Sequence, residues 1–212
     1  MAKIRIDLQQ IAQTPDVHLS RQQQVQQRKE WIAEIRNAYL SAVLEQPIQN
    51  TDFARTEYGK PYLAAYPQFY FNHSHSQKHY ALATSHRVPD LGVDVEDLDR
   101  VVRFKALAQH AFHADEMANW SNLEEDSEYW FKVWTIKEAV LKASGLGIRI
   151  SLNELNTQAH ETQNNGMCSH PKLGVFAYQC YVIGRVMLSV AWRTELSCHG
   201  FRLPVIAVHT HT

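Results

Sequence analysis

The chain predicts an α+β fold, and three observations carry that prediction. The stretch Trp130–Gly147 reads as a helix that is apolar around most of its circumference; Ser20–Gln46 reads as a long amphipathic helix; and short extended runs broken by turn residues lie between and after them. The order helix, strands, helices, strands divides the 212 residues into two α+β halves, 1–98 and 99–212. No residue-level repeat relates the halves, so any symmetry between them is one of structure.

The first helix follows from Val25, Ile32, Ile35, Tyr39 and Val43 at helical spacing, with Pro47 closing it. Its polar side carries Arg21, Arg28, Lys29 and Arg36, which solubility alone explains. Tyr58-Gly59-Lys60-Pro61-Tyr62-Leu63 is a turn leading into a short extended piece. Phe69–Asn72 is an aromatic strand running into Ser74-His75-Ser76, and His79–Ser85 pairs back onto it through Gln77-Lys78. Pro89-Asp90 turns the chain into Leu91–Glu96, a strand ending in acids. Helical character returns over Asp99–Trp120, with Phe104, Leu107, Ala108 and Phe112 as its apolar side, and Asn122–Asp126 is an acidic loop.

The second principal helix has good formers throughout, no proline, and Gly145 placed to end it. Tyr129, Val133, Ile136, Val140 and Ala143 form one apolar stripe, widened by Trp130, Trp134 and Leu141. Phe131, Thr135, Glu138 and Lys142 fall on the remaining side. An (i, i+4) Glu–Lys pair on a solvated face contributes roughly 0.3–0.5 kcal/mol. On a helix this apolar, however, charges are buried and require partners, a metal or a ligand. A polar stretch to about Lys172 follows, then two alternating segments, Gly174–Tyr181 and Arg185–Trp192, joined at Gly184, and a third at Phe201–Val208. His209 and His211 read as a polar tail.

Composition narrows the function. A net charge of −1 supplies no global field to recruit nucleic acid or membrane. The three cysteines, Cys168, Cys180 and Cys198, are odd in number and form no C-x-x-C. The opening residues have no long apolar core of a signal peptide. These features predict a cytosolic protein.

Asp94 and Glu96, two apart in a strand, leave the same face, while Val93 and Val95 take the other. Paired carboxylates of this kind suit a hard cation such as Mg²⁺, or else mark an exposed acidic strand end. His73, His75 and His79 share a face at a spacing compatible with zinc, but no cysteine lies near them. An imidazole flanked by Ser74 and Ser76 is better suited to phosphate.

Four stretches in order resemble the 4′-phosphopantetheinyl transferases of the monomeric, surfactin-synthetase-activating type. They are Gly59-Lys60-Pro61, Phe71-Asn72-His73-Ser74-His75-Ser76, Gly92-Val93-Asp94-Val95-Glu96, and Trp134-Thr135-Ile136-Lys137-Glu138-Ala139-Val140-Leu141-Lys142 with Gly145 and Gly147. The third alone is a weak signal; with the fourth about forty residues later the combination is specific. The resemblance implies a pseudo-dimer of two similar α+β halves, each with a small, mostly antiparallel sheet and packed helices, the active site lying at their junction. It implies transfer of the phosphopantetheine arm of coenzyme A to a serine of an apo acyl, peptidyl or aryl carrier protein, with release of adenosine 3′,5′-bisphosphate.

Residue by residue, the resemblance makes Asp94, Glu96 and Glu138 ligands of Mg²⁺. Lys142 would reach the phosphate under attack, and Glu116 corresponds to an acid proposed as general base, with Glu138 as the competing candidate. Ser74, His75, Lys60, Pro61 and Arg36, with Arg28 less directly, would contact coenzyme A. A carrier-binding groove is expected near Arg100, Arg103, Phe104 and Lys105. Two other classes remain open: a coenzyme A-binding protein without catalysis, and a Mg²⁺-dependent nuclease, against which the near-neutral charge argues.

Overall fold

The computed structural model describes residues 2–11, 19–147, 149–194 and 203–211. Among the described residues, four α-helices and ten strands form an α+β fold in four layers, helix, sheet, sheet and helices. The first sheet has the order β10-β1-β5-β4, from Val205–His211, Lys3–Gln10, His79–Ser85 and Tyr70–His75. The second has the order β6-β9-β8-β7, from Leu91–Asp97, Val186–Thr194, Gly174–Ile183 and Asn165–His170. A small hairpin of β2 (Phe53–Arg55) and β3 (Pro61–Leu63) stands apart.

Strand alternation explains the layering. On β1 and β5, Ile4, Ile6, Leu8, Ala81 and Ala83 point toward Leu91, Val93, Val95, Leu188, Val190 and Trp192 of the second sheet. On the opposite side of the first sheet, Phe71, Tyr80 and Leu82 pack with Ile32 and Leu40 of α1 (Arg21–Leu44). Ser20 and Gln23 form a capping box at the start of α1, and Glu45 ends it in the left-handed region. Helix α4 (Ser127–Ser144) covers the far face of the second sheet, capped by Asp126 and terminated by Gly145 at φ 70°.

Several expectations are corrected. The predicted helix over Asp99–Trp120 is two helices, α2 (Phe104–Ala111) and α3 (Ala114–Asn122). The break falls at Phe112-His113, where His113 caps α3 and its backbone N–H donates to Glu116 at 2.7 Å. The strands do not sort at residue 98: β6 pairs antiparallel with β9, and β10 crosses back to pair parallel with β1. His211 is no idle tail, since its Nε2 lies 2.9 Å from the buried Asp7 carboxylate. Phe131 and Thr135 of α4 are fully buried rather than part of a polar strip, and Thr135 is hydrogen-bonded to Ser189 at 2.7 Å. Cys198 and the start of the Phe201–Val208 segment lie outside the described residues; Cys168 and Cys180 are buried free thiols.

Candidate active site

The two sheets meet along a seam where β4 lies beside β6, and Asn72 Oδ1 accepts the Val93 N–H at 2.9 Å. Helix α4 crosses β6 so closely that a Cβ on Gly92 would lie 2.0 Å from the Ala139 carbonyl oxygen and 2.4 Å from Ala143 N. Only glycine on the strand permits this approach, and Ala139 and Ala143 keep the facing side of the helix small. The Gly in G-x-D-x-E and the Ala in K-E-A are thus packing residues that bring Glu138 and Lys142 to Asp94 and Glu96.

At the seam Lys142 Nζ lies 2.6 Å from Asp94 Oδ1 and 2.8 Å from Ser74 Oγ, and Ser74 Oγ donates to Asp94 at 2.7 Å. Asp94 is 5 % exposed, and its second oxygen, Oδ2, is buried without a hydrogen-bond partner. Burial pushes the Glu138 carboxyl above the usual range, and the Asp94 and Glu96 charges push it further. Burial also raises Glu96; Arg100 opposes that rise, with Nη1 at 2.7 and 2.8 Å from its two oxygens.

A cleft of about 280 Å³ opens beside these groups, lined by Lys60, Pro61, His73, Glu138, Lys142 and Gly145 among others. Positive charges surround His73 and its neighbour: Arg36, Lys142 and Arg55 all act on His73, and Arg28 and Lys142 on His75. Burial first, then these charges, holds His73 neutral with a pKa lowered to about 3, and its Nδ1 has no hydrogen-bond partner. His75, on the next outward position of β4, is likewise lowered by loss of water and by Arg28.

The structure brings Asp94, Glu96, Glu138, Lys142 and Ser74 together, with His75 one strand position beyond Ser74. Lys60 and Pro61 line the cleft, but the Lys60 ammonium is committed to the carbonyls of Ala143 (2.9 Å) and Leu91 (3.2 Å). Its charge therefore caps the end of α4 and ties the small hairpin to β6. Arg36 donates to Asn37 and Asn50 and lies 3.7 Å above the Phe53 ring. Arg28 donates to the Ser76 and Gln77 carbonyls. His79 turns away from the other two histidines, its Nδ1 2.6 Å from Asp97.

Glu116 is not among these groups. It is 1 % exposed, paired with the equally buried Lys137 at 2.7 Å, and accepts from Thr157 N, Thr157 Oγ1 and His113 N. The titrating groups that feel its charge are Lys137, Tyr129, Cys168 and Tyr178, none of them at the seam. The expected partner groove is likewise altered, because Phe104 packs edge-on against Trp130 and Phe131 and Lys105 pairs with Glu125 at 2.7 Å. Sequence reading missed the two buried lysines of α4. Lys132 donates to the carbonyls of His160 and Glu161, and Lys137 to those of Leu152 and Leu155 besides its ion pair. The H-x-x-E spacing of His113 and Glu116 was the available signal that Glu116 serves a helix start.

The donor set fits a hard divalent cation in its chemistry: beside burial, the Asp94 charge raises both Glu96 and Glu138, and one buried oxygen of Asp94 is unsatisfied. As they stand, among the described residues, no three such side chains close around a common point. Lys142 and Arg100 supply the positive charge there instead.

A profile of the 4′-phosphopantetheinyl transferase superfamily matches residues 90–191. The chain is 32% identical over 127 residues to the 4′-phosphopantetheinyl transferase gsp of Aneurinibacillus migulanus, covering 59% of this chain and 51% of that protein. It is 37% identical over 95 residues to HetI of Nostoc, covering 42% and 40%, and 32% identical over 120 residues to AcpT of Escherichia coli O157:H7, covering 56% and 58%. The chain spans about half the length of the curated relatives it matches. The matched segment, residues 90–191, holds β6 and α4 and is similar to the 4′-phosphopantetheinyl transferase superfamily.

Proposed function

We propose that this protein transfers the 4′-phosphopantetheine moiety of coenzyme A to a serine of an apo carrier protein, releasing adenosine 3′,5′-bisphosphate. The observation that supports it best is the position of Lys142 and Glu138, one turn apart, lining a cleft beside Asp94. Coenzyme A carries a pyrophosphate and a 3′-phosphate, and the positive charges of Arg28, Arg36, Arg55 and Lys142 around His73 and His75 favour such a polyanion. Ser74 and His75 offer uncharged hydrogen-bonding groups to the phosphates, and Pro61 a wall for the nucleotide.

The reaction requires a proton to leave the serine hydroxyl as its oxygen attacks the phosphorus next to the pantetheine arm. The bond to the bridging oxygen breaks, and the nucleotide departs with the electron pair. Lys142, released from Asp94, neutralises the attacked phosphate. Glu138, whose carboxyl burial raises above the ordinary carboxylate range, takes the serine proton, while Glu116 is buried away from the seam. Asp94, Glu96 and Glu138 would hold Mg²⁺, which when bound supplies charge neutralisation on the pyrophosphate oxygens. With both ends of the seam built by a single chain, the proposed unit is a monomer of two halves meeting at the site.

The test is mass measurement of an apo carrier protein incubated with coenzyme A, Mg²⁺ and this protein. A phosphopantetheine adduct that disappears with Asp94→Asn or Glu138→Gln supports transfer. Coenzyme A binding without adduct favours the non-catalytic reading, and either variant at full rate overturns the assignment.

A further inference from the structure

We propose that Arg100 is a resident counter-ion of the carboxylate site, standing where a divalent cation would bind Glu96 and competing with it for that place. The inference rests on the reading of Asp94, Glu96 and Glu138 as metal ligands.

Three observations carry it. One guanidinium nitrogen is nearly equidistant from both oxygens of Glu96, at 2.7 and 2.8 Å. It therefore lies on the carboxylate bisector, where a chelated ion would sit, and two cations cannot share that point. Second, the pair is asymmetric in exposure: the Arg100 side chain is 41% exposed and that of Glu96 12%. The guanidinium can swing into water, whereas the carboxylate cannot.

Third, Arg100 lies outside regular secondary structure, so its side chain can move without breaking a helix or a strand ladder. Residues 98–103 between β6 and α2 are neither helix nor strand, and a turn bond from Arg100 N to the Asp97 carbonyl at 3.1 Å bends the chain back toward Glu96. Val101 is 98% exposed while Leu98 and Val102 pack against the core, so the exchange moves the Arg100 side chain and leaves the segment in place.

The charges facing the site are those of Asp94, Glu96, Asp97 and Glu138 on one side and Lys142 and Arg100 on the other. Taking Arg100 away leaves Asp94, Glu96 and Glu138 facing Lys142 alone. Cation entry is thus an exchange that keeps the buried carboxylates compensated throughout, with Asp94 Oδ2, buried and unpartnered, waiting as a further donor.

Mn²⁺ binding to the purified protein, read by the loss of the free-ion electron paramagnetic resonance signal, tests this without catalysis. Arg100→Gln is expected to bind Mn²⁺ about tenfold tighter than the unaltered protein, the order of one charge-assisted hydrogen bond no longer opposing it. Its melting temperature should also rise more on Mg²⁺ addition. Asp94→Asn should lose the binding. Unchanged or weaker Mn²⁺ affinity in Arg100→Gln, with Asp94→Asn still losing it, overturns the competition and makes Arg100 a support for Glu96. Equal binding by the unaltered protein and Asp94→Asn overturns the metal reading itself, and the competition with it.

Discussion

Glu116 offers the sharpest separation of structure from chemistry. Glu116→Ala removes one partner of an ion pair in which both side chains are 1% exposed. It strands the Lys137 ammonium with only two carbonyls and frees the N–H groups of His113 and Thr157. Breaking a buried pair from one side costs about 3–5 kcal/mol. At ~2–4 °C per kcal/mol for a chain of this size, the melting temperature should fall by about 6–20 °C. Replacing both partners, Glu116→Leu with Lys137→Met, removes the uncompensated charge and should recover most of the loss. Thermal and urea denaturation of the single and double variants measure this. At a temperature where all are folded, transfer by the double variant should stay within about tenfold of the unaltered rate, since a general base contributes ~10²–10⁴-fold. A single variant that melts unchanged yet fails to transfer would refute the structural role and return Glu116 to the chemistry.

Gly92→Ala should destabilise by about 1–3 kcal/mol or more, because its methyl would press on the Ala139 carbonyl and move α4 off β6; denaturation and a parallel loss of transfer check it. Lys142→Met should lower turnover on the order of 10²-fold while coenzyme A affinity by calorimetry changes only a few-fold. Lys60, held at about 8 against an ordinary 10.5 by burial, sheds its proton earlier in the folded than in the unfolded protein. Between those values the unfolded chain binds more protons, so this contribution to stability rises with pH. In Lys60→Met that part of the rise should vanish, which urea midpoints across the window would show.

How much of this was visible in the chain depends on which physics decided each element. Helix α4 was legible because its content and its terminating Gly145 agree with its apolar pattern. The alternation of Val93 and Val95 against Asp94 and Glu96 was equally plain, since strand period alone sets it. The burial of Lys132 and Lys137 was not. A lysine in a helix reads as solvated, and only the loop over residues 152–163, wrapping back to offer its carbonyls, makes the interior habitable for an ammonium. The break between α2 and α3 carries no proline or glycine, so periodicity ran through it. β1 alternates Ile4, Ile6 and Leu8 clearly, but its partners come from the far end of the chain. No local signal places β10 beside it.

That last pairing shapes how the protein is made. The register joins Lys3 to Val205 and Gln9 to His211, with Asp7 clasped by His211 on one side and Arg5 on the other. Residues 11–204 are looped out between two neighbouring strands, a closure with a large entropic cost and a late place in assembly. During synthesis the flank of β1 opposite β5 waits uncovered until residues 205–211 leave the ribosome. An affinity tag or truncation near residue 211 should therefore affect yield and aggregation well before it affects turnover.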